Sequence, residues 1–291
     1  MPGTKLSETD LILDSDDSAY HLHIRDEHIA DHVIVVGDQS RVEQISKHFD
    51  KIEVKIQNRE FLTHTGWVGK DRITVLSTGI GTDNIDIAVN EMDAAINIDP
   101  KTRQVRPGKR KLNIIRIGTS GALQPDIPVG SYVISEFGLG FDGLIHYYNY
   151  EFDELERELA VKIGQHLNLN KELSAPYVCK GSELLINKLG KGMIPGITAT
   201  ASGFYGPQGR TLRLQLKDPG IEDRLGNFSH KNYRIINFEM ETSALYGLGN
   251  MLGHDCCTCC VVIANRIRKE FSKDYHKDVD RLIQTVLERI V

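Results

Sequence analysis

Nowhere does this chain offer the roughly 18 to 20 consecutive apolar residues that a membrane-spanning helix needs. Its opening stretch, Met1 to Asp17, is acidic and lacks the apolar core of a secretory leader. Positive charge is not in excess either: 35 Lys and Arg face 40 Asp and Glu, a net charge of -5, which argues against a general nucleic-acid binder. No stretch rich in proline, glycine or serine divides the chain, and there is no internal repeat or low-complexity tract. Cysteine is scarce. Of five, four crowd into CCTCC (Cys256, Cys257, Cys259, Cys260), with Cys179 apart. Overlapping C-x-x-C pairs could suggest zinc or redox chemistry. No second Cys/His pair stands at ligand spacing, however, and the cluster runs straight into the apolar segment CVVIAN, where a free cysteine packs as a small hydrophobe. We therefore expect no metal and no membrane or nucleic-acid partner. The odd cysteine count and the missing leader fit a reducing, cytoplasmic location.

What the chain does have is alternation. Short apolar runs, each read as a strand, are followed by patterns of helical period. HVIVVGD (32–38) reads as a strand and Gly-Asp turn, and SRVEQISKHF as a helix capped by Ser40. RITVLSTGIG (72–81) and LNIIRIGTSGAL (112–123) read as further strands that end in glycine turns, with a helix over IDIAVNEMDAAINI between them. GSYVISEFGLG, GITATASGF, YRIINFEM and CCVVIAN complete the strands. Helices are expected over 153–167, 241–252 and 273–291, the last apolar at Val279, Leu282, Ile283, Val286, Leu287 and Ile290. The pattern is that of an α/β protein with a central sheet. We expect one domain over 1–291, with an acidic N-terminal extension over 1–20. The basic stretch PKTRQVRPGKRK (100–111) reads as an exposed, solvated loop.

Ligands of open α/β sheets gather at the carboxyl ends of strands. Three glycine turns fall there: Gly37-Asp38, Gly79-Ile80-Gly81 and Gly118-Thr119-Ser120-Gly121. Glycine lets backbone N–H groups approach an anion closely, yet none of the three is a dinucleotide fingerprint or a Walker phosphate loop. The neighbouring arginines sharpen the picture. Arg41 follows Gly37 by four residues, Arg116 precedes Gly118 by two, and Arg59 sits in QNREF; guanidinium groups suit bidentate phosphate recognition. Arg116, flanked by apolar residues, needs a buried partner.

Taken in order, these segments resemble the nucleoside phosphorylases built on a single α/β domain, and within them the uridine phosphorylases, over roughly His21 to the C-terminus. HVIVVGDQSRVEQIS is similar to that family's first strand, phosphate loop and helix, with Gln39 where the family usually has proline; this implies Gly37 and Arg41 as phosphate ligands. NREF resembles the segment that lends Arg59 to a neighbouring subunit's phosphate. RIGTSG is the most specific signature and implies Arg116 and Thr119 at phosphate, with Thr119 also near the ribose. AYHLHI implies that His21 reaches the ribose of a neighbouring site. NFEMETSAL implies Met240 and Glu241 at the ribose. FYGPQGR resembles the uracil-recognition segment and implies Phe204, Gln208 and Arg210, while CVVIANRIRKE implies Ile263 and Ala264 along the base and Arg266 behind the uracil-binding residues. Purine enzymes of the family place an aspartate near the end of that strand, where this chain has Asn265.

The chemistry agrees with the resemblance. Uracil presents O2, N3–H and O4 in a row; a glutamine amide can match O2 and N3–H together, arginine can donate to O4 and Phe204 can stack on the ring. The resemblance implies a three-layer fold whose mixed, partly barrel-like central sheet is flanked by helices. It implies a pentosyltransferase that converts uridine and phosphate to uracil and ribose 1-phosphate, with a role in pyrimidine salvage. Arg210, Gln208, Glu241 and Arg116 would be its catalytic residues. No cofactor is expected, since inorganic phosphate is a co-substrate. Some relatives hold a potassium ion through a glutamate like Glu60 and a serine; Asn84 replaces that serine. A homodimer or hexamer with shared active sites is implied. The alternatives are a purine nucleoside phosphorylase, a nucleosidase of the same fold, and a non-catalytic nucleoside-binding protein.

Overall fold

The computed structural model describes residues 5–291, so residues 1–4 of the expected N-terminal extension lie outside the described residues. The strands are β1 (His32–Val36), β2 (Lys51–Asn58), β3 (Phe61–Val68), β4 (Asp71–Ser77), β5 (Ile98–Asp99), β6 (Gln104–Val105), β7 (Asn113–Ala122), β8 (Tyr132–Gly140), β9 (Tyr177–Lys180), β10 (Ile194–Thr200), β11 (Ser229–His230), β12 (Tyr233–Glu239), β13 (Asp255–Asn265) and β14 (Glu270–Phe271). The helices are α1 (Gln39–Ser46), α2 (Thr82–Asn97), α3 (Glu154–Leu167), α4 (Glu183–Leu189), α5 (Ile221–Gly226), α6 (Thr242–Leu252) and α7 (His276–Ile290).

Twelve of the described strands form one mixed sheet in the order β11-β12-β10-β8-β13-β7-β1-β4-β3-β2, with β9 on β8 and β14 on β13. One end of the sheet curls until β12 meets β7 antiparallel, Asn237 opposite Ala122 and Phe238 opposite Gly121. The ring β7-β13-β8-β10-β12 is therefore closed, and the rest of the sheet extends from β7 as an open wing. This is the partly barrel-like sheet the resemblance implied. β1 lies parallel between β4 and β7, and β7 parallel to β13; strands in that position are buried on both faces and read as unbroken apolar runs. Helices cover both faces. Met92 of α2 and Leu245 of α6 share one core cluster with Val33 and Val35. Val42 of α1, Leu185 of α4 and Leu282 of α7 share another with Ile34 and Ile115. α3 and α5 cover the barrel side through Leu159, Ile163 and Leu225.

Three local expectations need correction. The cap of α1 is Asp38, whose carboxylate accepts from Ser40 N at 2.9 Å, so Ser40 is its partner rather than the cap. The RIGTSG glycines do not form a turn: β7 runs through them to Ala122, paired along β13. Gly118 serves another end there, since a Cβ would run into the Arg116 guanidinium. The 100–111 stretch is not simply solvated. Arg103 donates to the carbonyls of Leu6 and Ser7 at 3.0 and 2.6 Å, and Arg110 to Asp26, Asp31 and the Ile29 carbonyl at 2.8, 2.6 and 2.7 Å. Through that clasp the N-terminal segment packs on the domain, with Leu11 and Ala19 buried. Not foreseen from the sequence is the β2–β3 hairpin, which carries Arg59 at its turn.

The cysteine cluster lies inside β13, and all five cysteines are free and buried. Burial pushes the Cys260 thiol up to about 12, so it stays protonated and packs as a hydrophobe.

Candidate active site

At the carboxyl ends of β1 and β4 the chain turns back over α1 and α2. The two loops touch: Thr78 N donates to the Val36 carbonyl at 2.8 Å, and Gly37 lies against the Gly79 carbonyl. Gly79 (φ +75°) and Gly81 (φ +102°) occupy backbone conformations that side chains rarely adopt, and a Cβ on Gly79 would meet the Asn84 amide. Gly81 N donates to Glu241 Oε1 at 2.9 Å, which ties this loop to the start of α6.

Arg116 projects from β7 into the same place and is 5% exposed. Its guanidinium pairs with Glu241 and, at 3.3 Å, with Glu239. Burial alone would lower its pKa, but the two carboxylates hold it above the ordinary arginine value. Glu239 in turn receives Thr200 Oγ1 at 2.7 Å and the N–H groups of Glu241 and Thr242 at 3.0 Å. It closes the N-terminus of α6, where a negative charge is favoured.

Arg41 behaves differently. Its guanidinium donates to the Ile117 carbonyl at 3.3 Å, and among the described residues no carboxylate lies within ion-pairing distance. Burial, followed by Arg116 beside it, lowers its pKa. A cation in that position is stabilised by an incoming anion.

The other end of the site is built by the 3-10 turn over Gly206–Gln208 and the end of β13. Gln208 is buried; its Oε1 accepts from Arg210 Nη1 at 2.6 Å, and its carbonyl accepts from Arg266 Nη2 at 3.1 Å. Arg266 also pairs with Glu222. Burial, then Arg210 nearby, lowers Arg266 to about 10, and burial lowers Arg210. Arg266 thus braces the Gln208 turn.

One cavity of about 1040 Å³ joins the two ends. It is lined by every residue expected to bind phosphate, ribose or uracil except His21: Gly37, Arg41, Arg59, Arg116 and Thr119 at one end, Met240 and Glu241 between, and Phe204, Gln208, Arg210, Ile263, Ala264 and Arg266 at the other. His21 lies off its own chain's cavity, with Nδ1 2.5 Å from Glu91 Oε1. Arg59, expected to serve a neighbouring subunit, stands at the rim of its own chain's cavity.

Residues 31–291 match the phosphorylase superfamily. The chain belongs to that family. A uridine phosphorylase from Thermococcus kodakarensis is 30% identical over 89% of this chain and 82% of its own length. A purine nucleoside phosphorylase of DeoD type from Buchnera aphidicola is 24% identical over 94% of this chain and 100% of its own. Among solved structures, a Trypanosoma brucei nucleoside phosphorylase described as showing uridine phosphorylase activity superposes with a TM-score of 0.88 at 29% identity, covering 96% of this chain and 99% of that one.

Within this superfamily member, several cavity residues escaped the sequence reading. Glu239 was legible in principle, because it stands two residues before Glu241 at a strand end, and residues i and i+2 share a face. Gln39 and Ser120 also line the cavity. The Ser120 hydroxyl and Arg266 Nη1 are buried without a partner among the described residues. Nothing local marks Ser120, since its access depends on how β7 and β13 meet. Asn265 lies behind the cavity wall: its amide donates to the Gln124 and Ile127 carbonyls at 2.9 and 2.8 Å, and its Oδ1 accepts from Arg268 N at 2.8 Å. The Asn84 amide donates towards the Ile80 carbonyl at 3.4 Å.

Proposed function

We propose that this protein is a uridine phosphorylase, which cleaves uridine with inorganic phosphate to uracil and ribose 1-phosphate. The observation that carries it is the pairing, within one cavity, of an arginine with no carboxylate partner among the described residues at one end with a buried glutamine held by a half-buried arginine at the other. Phosphate sits against Gly37, Arg41, Arg59, Arg116 and Thr119. Glu241 accepts from ribose hydroxyls, and Met240 packs on the sugar. A phosphate oxygen forms its bond to C1′ as the bond from C1′ to N1 breaks, and the electron pair passes into the uracil ring. Gln208 Oε1, which has a second lone pair, accepts uracil N3–H while its amide N–H donates to O2. Arg210 donates to O4, where negative charge grows. Water protonates the departing uracil. The rate derives mainly from holding nucleophile and sugar in line and from this charge stabilisation. No cofactor takes part.

The amide of Asn265, committed to two carbonyls, supplies no acid for a purine. The phosphate arginines disfavour a water-using nucleosidase. His21, off its own cavity, supports the reading that it serves a second copy of the chain in a homodimer or hexamer. We place the enzyme in the cytoplasm, in pyrimidine salvage, acting as one catalytic domain.

An absorbance assay of uridine with and without phosphate, with inosine in parallel, tests this. The expected result is phosphate-dependent loss of uridine with little action on inosine. Preferential cleavage of inosine would place the enzyme with the purine phosphorylases. Cleavage without phosphate would make it a nucleosidase.

A further inference from the structure

The β2–β3 turn holds Arg59 with φ +53°, a left-handed conformation that a residue other than glycine keeps only under constraint. The constraint is visible on two sides. Gln39 Nε2 donates to the Arg59 carbonyl at 2.9 Å. The Arg59 guanidinium donates to the Tyr20 hydroxyl at 3.3 Å and lies 5.4 Å from the Tyr20 ring centroid. Tyr20 is itself tied down, because Asn58 of the same hairpin donates to the His21 carbonyl at 2.9 Å. Gln39 follows the phosphate loop directly, and both Gln39 and Arg59 line the cavity beside Gly37 and Arg41.

We infer that Gln39 is a positioning residue for phosphate: by holding the Arg59 carbonyl it sets where the Arg59 guanidinium points. The inference rests on the phosphorolytic reading above. The helix places no demand on this side chain. Gln39 is the first residue of α1, a position whose N–H has no intrahelical acceptor and where proline is favoured. Asp38 before it is extended (φ -105°, ψ 127°), as a residue preceding proline must be. Gln39→Pro therefore removes the amide donor and keeps the helix. Gln39→Met removes the donor and keeps the reach.

The experiment is steady-state kinetics of uridine phosphorolysis for the wild type, Gln39→Pro, Gln39→Met, Arg59→Ala and the Gln39→Pro/Arg59→Ala double variant, with thermal melts of each. Both Gln39 variants should raise the KM for phosphate about three- to tenfold, the size of one lost hydrogen bond. The KM for uridine at saturating phosphate should stay within about twofold on the same scale. In the double variant the Gln39 change should add nothing to the Arg59 change, since one acts through the other. An unchanged phosphate KM in both Gln39 variants, or effects that add in the double variant, would overturn the inference while leaving the phosphorolytic reading intact. Wild-type cleavage that ignores phosphate would overturn both.

Discussion

The Arg210 guanidinium carbon lies 3.8 Å from the centroid of the Phe204 ring, and Arg210 Nη1 donates to the carbonyl of the same phenylalanine at 2.6 Å. The ring and the guanidinium expected to meet the base are thus locked to each other, and Arg210 grips Gln208 as well. A planar guanidinium can lie on the ring while its Nη1 reaches both oxygens, as a compact ammonium cannot. Arg210→Ala should lower turnover on uridine by about 10² to 10³, the usual cost of one such donor. Arg210→Lys should restore little of it. Steady-state rates for both variants check this, and a lysine variant near wild type would show that charge alone suffices.

Arg116 with Glu239 and Glu241 forms a buried ionic group, and removing its only cation leaves two carboxylates facing each other. Arg116→Met should cost about 3–5 kcal/mol of stability, the range for breaking a buried pair from one side. A thermal melt will show this as a large fall in Tm. If Tm hardly moves, the carboxylates must be relieved by another route.

Asn265→Asp is the substitution that would seem to introduce a purine acid, yet the fold predicts a different result. The new carboxyl would face the Gln124 and Ile127 carbonyls, now without a second donor. Loss of about 1–3 kcal/mol, the cost of unsatisfied buried polar groups, is expected with no gain of inosine cleavage. A melt and an inosine assay on one preparation decide it; appreciable inosine cleavage would mean that the side chain reaches the cavity.

The pH dependence of stability follows from three histidines. Burial lowers the pKa of His64, with Lys55 adding to it; burial and then Lys188 lower His32; burial and then Arg25 lower His28. Below the unfolded histidine value of about 6.5 the unfolded chain takes up protons that the folded chain refuses. Stability present above that pH is therefore lost as pH falls through the lower folded values. Tm should be flat from about pH 8 to 7 and decline between about 6.5 and 5, before carboxylates titrate. His64, whose Nδ1 is 2.8 Å from Ser46 Oγ, contributes part of this slope, so His64→Gln should flatten it. A wild-type Tm independent of pH across that window would contradict the assignment.

Much of this protein was decided locally. The runs HVIVV and NIIRI are apolar at every position but the ends or Arg116, and the 3.6-residue period of α7 places six apolar residues on one face; such periods survive folding because burial rewards them directly. Arg41 and Arg116 stood out as arginines beside glycine segments, whereas Gln208, Arg210 and Glu241 were implied by the resemblance of FYGPQGR and NFEMETSAL to family segments and by no period of their own. Tertiary structure alone decided the rest. That β7 continues through Gly118 to Gly121 depends on β13 lying parallel beside it and β12 closing the barrel. That the basic 100–111 stretch is a clasp depends on the acceptors Leu6, Ser7, Asp26 and Asp31, far away in sequence. That Arg59 is held by Gln39 and Tyr20 depends on a hairpin turn folding back onto α1 and the N-terminal segment. A strand or helix declares itself through the spacing of its own residues, whereas a hydrogen bond between segments far apart in the chain has no such signature and exists only once the sheet has brought them together.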